Sequence, residues 1–225
     1  TGEANESAHE SRAAPRHAIR IAKGTAMNRV VVTGMGCISG QGRSAADCWS
    51  AMKDGRSGIV PMQNIPVDQL KVGIGAEVRG YEPEQHFERR QMALYDRVSQ
   101  FAMVAAREAI AQSGIVFDGG LGARTAAILG SGIGGQTTID EGYQRLYGEK
   151  IARVHPLTIP RLMINAPASH LSIAYGITGP SFVVASACAS ANHAIAIAFD
   201  MVRRGVVEAA VTGGTEAPMT VGVIK

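Results

Sequence analysis

The chain has 225 residues, which falls between one large domain and two small ones at about 150 residues per domain. With 46% hydrophobic and 18% charged residues it is too apolar for intrinsic disorder, and 27 glycines against 5% aromatics predict a globular fold with many tight turns. The net charge of +3 is dispersed and no Lys/Arg run occurs, so no nucleic acid partner is expected; no apolar stretch reaches the about 18 residues of a membrane span.

In chain order, residues 1–26 lack the apolar stretch of a secretory signal and contain Glu3, Glu6 and Glu10, unlike a transit peptide. They read as an added extension, disordered or artificial, with Met27 as the natural start. Arg29 to Gly34 reads as a short buried strand. Ser44 to Lys53 reads as a helix capped by Ser44, and Val72 to Val78 as a second strand. From Gln91 to Ser113, Leu94, Val98, Phe101, Val104, Ala105, Ala109 and Ile110 recur at spacings of three and four, predicting one long amphipathic helix that closes at Gly114. A strand from Arg124 to Leu129, the loop Gly130 to Gly135 and a helix near Thr137 to Tyr147 follow. Next come a helix from about Arg161 to Tyr175, with Pro160 just before it, and a strand from Ser181 to Ser186. A helix from Ala189 to Arg204 and a strand from Glu208 to Thr212 complete the series. Apolar strands alternating with helices predict an α/β fold whose sheet is buried on both faces, with Ser181 to Ser186 central in it.

Cys37, Cys48 and Cys188 form no CxxC pair and no even-numbered framework, so neither a structural zinc site nor a disulfide scaffold is expected, and a reducing cytosol fits best. Gly130-Ser131-Gly132-Ile133-Gly134-Gly135 satisfies GxGxxG after a strand. A dinucleotide site would also need a second strand soon after the helix and an acidic residue about 20 positions on. Gly142 interrupts that helix, and no β-rich run precedes Glu149. Glycines that turn the backbone sharply at a sheet edge explain the loop better, with Ile133 free to touch an apolar ligand.

Cys188 lies between the apolar run Val183-Val184-Ala185 and an Ala-rich helix. On such a strand-to-helix elbow, free N–H groups at the helix start stabilise a thiolate and polarise a carbonyl. Burial statistics alone would make it an inert packing residue, which is the reading kept for Cys37 and Cys48. The histidines offer no partner. His193, on the same predicted helix, would stand roughly 140° around it from Cys188, and His9, His17, His86, His155 and His170 have no catalytic context. No HExxH, P-loop or GxSxG occurs.

Taken together, Val30-Val31-Val32-Thr33-Gly34-Met35-Gly36, Asp96-Arg97-Val98-Ser99-Gln100-Phe101-Ala102, the Gly130 to Gly135 loop, Gly179-Pro180, Ala187-Cys188-Ala189-Ser190 and Gly213-Gly214-Thr215-Glu216-Ala217 resemble the elongating β-ketoacyl-acyl carrier protein synthases in order and spacing. The resemblance spans Met27 to Lys225. It implies a thiolase-like fold, one half of a layered α-β-α-β-α architecture, in a cytoplasmic homodimer without metal or cofactor. It implies an acyltransferase of fatty acid biosynthesis that condenses an acyl group held on Cys188 with malonyl-acyl carrier protein. Gly132, Ile133 and Gly134 would then line the acyl site, with Ile133 as its gate. The two histidines and the lysine that promote decarboxylation in the family belong to a second half, so the chain reads as the N-terminal half of a longer protein.

Other readings are a coenzyme A-dependent thiolase, a polyketide ketosynthase domain and a non-catalytic scaffold half. Thiolases resemble this pattern with a much earlier cysteine. Polyketide domains usually carry Thr-Ala-Cys-Ser-Ser, from which Ser186-Ala187-Cys188-Ala189-Ser190 departs, and the presence of Cys188 argues against a scaffold.

Overall fold

A computed structural model describes residues 27–118 and 120–225, so the expected extension at residues 1–26 lies outside the described residues. The helix α1 spans Ala45–Lys53, and as expected Ser44 caps it by accepting from the Asp47 amide. Strands β1 (Val60–Pro61) and β2 (Ile74–Gly75) form a short antiparallel ladder, far less than the strand expected from Val72 to Val78. The buried Glu77 carboxylate organises this hairpin by accepting from the amides of Gln63 and Asn64 at 2.8 and 3.1 Å.

The long helix expected from Gln91 to Ser113 is two helices, α2 (Arg89–Leu94) and α3 (Arg97–Ser113). The break falls at Asp96, whose side chain accepts from the Val98 amide and caps α3, a role that suits aspartate better than a helix interior. At the other end Gly114 takes the left-handed conformation, φ 66°, as the glycine stop predicted. Strand β3 (Thr125–Gly130) leads through the glycine loop to α4 (Gln136–Tyr143), which runs into a π-helical turn over Gln144–Gly148. The helix expected from Arg161 to Tyr175 is also divided, into α5 (Thr158–Leu162) and α6 (Ala166–Tyr175). Pro160 lies inside α5, and Pro167 sits in the first turn of α6, where its missing N–H has no intrahelical partner to lose. Strand β4 (Ser181–Val184), helix α7 (Ser190–Arg203), strand β5 (Ala209–Gly214) and the short α8 (Val221–Ile224) complete the chain.

Strands β4, β3 and β5 form a parallel sheet in that order, with β3 in the middle and buried throughout. Its side chains alternate between two cores. Ala126 and Ile128 pack with Ala194, Ala198 and Val207 beneath α7. On the opposite face Ala127 meets Met103 and Leu171, while Leu129 meets Ala102 and Ala168, residues of α3 and α6. The sheet is therefore covered on both faces, giving the α-β-α layering of a thiolase-like half.

Two strand expectations fail for one reason, the absence among the described residues of a neighbour to pair with. Strand β4 is an edge strand, with Ser181 and Phe182 exposed, so the Ser181 to Ser186 run is not central; β3 is. The Arg29 to Gly34 run forms no strand. Val31 and Val32 are 59% and 81% exposed, and side chains of α3 satisfy the following backbone: Gln112 accepts from the Met35 amide and Glu108 from that of Cys37. Gly34 and Gly36 lie so close to the α3 backbone that a Cβ on either would collide with a carbonyl oxygen.

Candidate active site at the carboxyl edge of the sheet

All three parallel strands end at one edge, with Gly130 level with Val184 and Gly214. Ligands of open parallel sheets gather outside such carboxyl ends, because the connections to the helices open there. The glycine loop leaves β3, the Cys188 elbow leaves β4, and Thr215-Glu216 leave β5. Gly130 is needed where it stands, since a Cβ there would strike the backbone of Ser190 at the start of α7.

The elbow is a left-handed turn. Ala187 has φ 51°, a conformation that costs a residue with a Cβ roughly 1–2 kcal/mol. Ser190, buried at the first position of α7, compensates: its hydroxyl accepts from the Ser186 amide at 2.8 Å and donates to the Ala187 carbonyl at 2.6 Å. The Ser186 hydroxyl in turn meets His193 Nδ1 at 2.6 Å. Cys188 is exposed and sits immediately before Ala189, the cap residue of α7. The sulfur is thus outside the helix, at its amino-terminal end, and the helical-wheel separation of Cys188 from His193 does not apply.

Glycine-loop geometry is set by a carboxylate that the sequence had shown only as part of a motif. Glu216 accepts from the Gly132 amide at 2.6 Å and from the Ser131 hydroxyl at 3.1 Å, and the Ser131 hydroxyl accepts from the Gly134 amide. Gly134 has φ 65°, so the sharp turn expected of these glycines is present. Gly132 comes against the elbow itself, where a Cβ would lie 3.6 Å from Ala187 Cα. Ile133 is 41% exposed. Of the expected acyl-site residues, Gly132 is thus brought beside the cysteine elbow, while Gly134 and Ile133 form the adjoining turn. The loop does open a helix, but the next strand is β4, beyond two more helices, so the dinucleotide-binding context is absent.

Behind the loop, buried Asp96 joins α3 to the start of α4. Its Oδ2 accepts from both the amide and the hydroxyl of Thr138, at 2.7 and 2.6 Å. A cleft of about 130 Å³ beside Glu216 is lined by Cys37, Ile38, Phe101, Ala105, Gly214 and Thr215, below the roughly 300 Å³ at which ligand pockets begin.

The other cysteines differ from Cys188 in setting. Burial first, then the neighbouring Cys48 thiol and the Glu108 carboxylate, push the Cys37 thiol up to about 12. Cys48 is buried in α1. Among the histidines, burial, beside the Tyr95 ring, lowers the His170 pKa. His155 accepts from the Leu157 amide, and His86 stacks on Tyr81. His9 and His17 lie outside the described residues.

The chain from 27 to 225 matches the family described as beta-ketoacyl synthase, N-terminal domain. Nodulation protein E of Rhizobium leguminosarum bv. trifolii is 40% identical over 88% of this chain and 49% of its own length. The 3-oxoacyl-[acyl-carrier-protein] synthase 2 of Staphylococcus aureus (strain N315) is 34% identical over 85% of this chain and 46% of its own. The chain therefore spans about half the length of these curated relatives. The solved ishigamide ketosynthase/chain length factor superposes with a TM-score of 0.78 at 26% identity, covering 85% of this chain and 48% of that one. A parallel sheet whose carboxyl edge gathers the glycine loop, the Cys188 elbow and Glu216, with the ordered motifs and these likenesses, makes the chain a member of the beta-ketoacyl synthase family, of which it carries the N-terminal domain.

Proposed function

We propose that the protein is a β-ketoacyl-acyl carrier protein synthase of fatty acid biosynthesis, with Cys188 as its acyl acceptor. The observation that carries this reading is the exposed Cys188 thiol on a strained elbow at the amino end of α7, next to Gly132 of the glycine loop. A thiol so placed sits at the amino end of α7, where backbone N–H groups carry partial positive charge that can polarise an incoming carbonyl.

In this chemistry the Cys188 thiolate attacks the carbonyl of an acyl-carrier thioester, and the carrier thiol leaves. The backbone N–H of Cys188 can serve as one donor to the oxyanion. Malonyl-carrier then loses carbon dioxide, its carbanion attacks the new thioester, and Cys188 departs again as thiolate. Gly132, Ile133 and Gly134 line the acyl site in this reading, with exposed Ile133 as its gate. Decarboxylation needs groups that this site does not assemble: among the described histidines only His193 lies at the elbow, and its Nδ1 is engaged by Ser186. The partner is an acyl carrier protein bearing acyl or malonyl groups. The open edge of β4, with Phe182 exposed, is a surface on which a second copy can extend the sheet into a homodimer.

Incubation with an acyl-acyl carrier protein followed by peptide mass mapping tests the acceptor. An acyl adduct on Cys188 that disappears in Cys188→Ala is expected. An adduct that persists in Cys188→Ala, or that maps to Cys37 or Cys48, overturns the assignment.

A further inference from the structure

The elbow that presents Cys188 carries a second connection that acyl transfer itself does not use. Ala187 is held in a conformation that a residue with a Cβ adopts only when its surroundings impose it. Ser190 supplies part of that restraint by bonding the Ser186 amide and the Ala187 carbonyl. Backbone bonds from the Ala189 amide to the Ser186 carbonyl and from the Ser190 amide to the Ala187 carbonyl close the turn, and a further side-chain restraint is the contact between the Ser186 hydroxyl and His193 Nδ1, which bridges from the end of the β4 segment to the first turn of α7. His193 makes no hydrogen bond to Cys188 among the described residues, so it is not arranged to take the thiol proton.

Resting on the reading of Cys188 as acyl acceptor, we infer that His193 is a positioning residue: through Ser186 it locks the left-handed elbow and keeps the Cys188 thiol at the amino end of α7. Released from that lock, the elbow relaxes away from the helix start, and the sulfur is no longer held at the amino end of α7 in the position from which it attacks. The side chain at position 193 therefore acts on reactivity through one hydrogen bond, and what matters is a polar atom near the place of Nδ1 rather than the aromatic ring.

The test is limiting alkylation of the protein with iodoacetamide from about pH 6 to about pH 9, with Cys37 and Cys48 as internal references in the same peptide maps. His193→Phe keeps the ring and removes the bond. It is expected to slow Cys188 alkylation about fivefold relative to Cys37 and Cys48, as the loss of one side-chain hydrogen bond implies. Asparagine places a polar atom near that of Nδ1, so His193→Asn is expected to stay within about twofold of the parent. Ser186→Ala should match His193→Phe, and the double variant should be no slower than either single one, because both remove the same interaction. A role in packing alone predicts the reverse order, with phenylalanine tolerated and asparagine not. Parental reactivity in His193→Phe, or losses that multiply in the double variant, overturns the latch. If Cys188 in the parent reacts no faster than Cys37 or Cys48, the acceptor reading itself falls and the latch falls with it, a result distinct from a fast Cys188 that is indifferent to position 193.

Discussion

Asp96 lies far from Cys188 in the sequence, yet it anchors the helix that follows the glycine loop. It is 1% exposed, and its two oxygens do different work: Oδ1 caps α3 through the Val98 amide, whereas Oδ2 takes the amide and hydroxyl of Thr138, the third residue of α4. Asp96→Ala should lose the cap, about 1 kcal/mol. It should also strand the two buried donors of Thr138, at roughly 1–3 kcal/mol each. The expected total is about 3–7 kcal/mol, a large share of the roughly 5–15 kcal/mol that holds a domain folded. Asp96→Asn separates the contributions. Its carbonyl oxygen can still cap α3, since asparagine caps as well as aspartate, but its NH₂ group faces the Thr138 amide, donor against donor, so a loss of roughly 1–3 kcal/mol is expected. Thr138→Val removes only the hydroxyl and should cost about 1 kcal/mol, nearly all of it already lost in Asp96→Ala. Denaturant unfolding followed by circular dichroism measures each difference, given coincident two-state transitions. A loss in Asp96→Ala no larger than the cap, with Asp96→Asn equal to the parent, would refute the bridge to α4.

Ile133→Phe should exclude longer acyl primers while short ones remain usable, read as the ratio of Cys188 acylation rates across a chain-length series; equal slowing of all lengths, or none, would remove Ile133 as a gate. Cys37 gives a pH prediction. Its thiol is raised from 9.0 to about 12 in the folded chain, chiefly by burial, so the unfolded chain gives up the proton first and stability is lost as pH climbs from about 9 towards 12. Below that window the contribution is fully present. Unfolding midpoints taken across it should fall more steeply in the parent than in Cys37→Ala, and parallel slopes would contradict the assignment.

Local signals in the sequence went a long way towards the fold. A serine before an apolar run caps α1, glycines at 114 and 176 stop α3 and α6 in the left-handed conformation, and the apolar run of β3 forms a buried strand. These are short-range effects of backbone sterics and unsatisfied amide groups, so neighbouring residues are enough to specify them. The strand-to-helix setting of Cys188 was legible for the same reason, and so was its contrast with Cys37 and Cys48.

Pairing and long-range satisfaction of polar groups belonged to the tertiary structure. Whether Val30 to Val32 or Ser181 to Val184 becomes a central strand depends on which backbone lies alongside, and the apolar pattern of a strand does not name its neighbour. Helical periodicity ran unbroken through Asp96, but the Thr138 donors, 42 residues away in sequence, made that aspartate worth more as a buried cap than as a helix residue. Likewise Glu216 reaches the Gly132 amide across 84 residues and shapes the glycine loop. His193, which a helical wheel sets apart from Cys188, is joined to its elbow through Ser186 because α7 begins only at Ser190, two residues beyond the cysteine. Sequence alone therefore determined many of the elements and the setting of Cys188, whereas the partners of each carboxylate and each edge came only with the packed chain, since those bonds form between groups that folding, and not chain order, brings together.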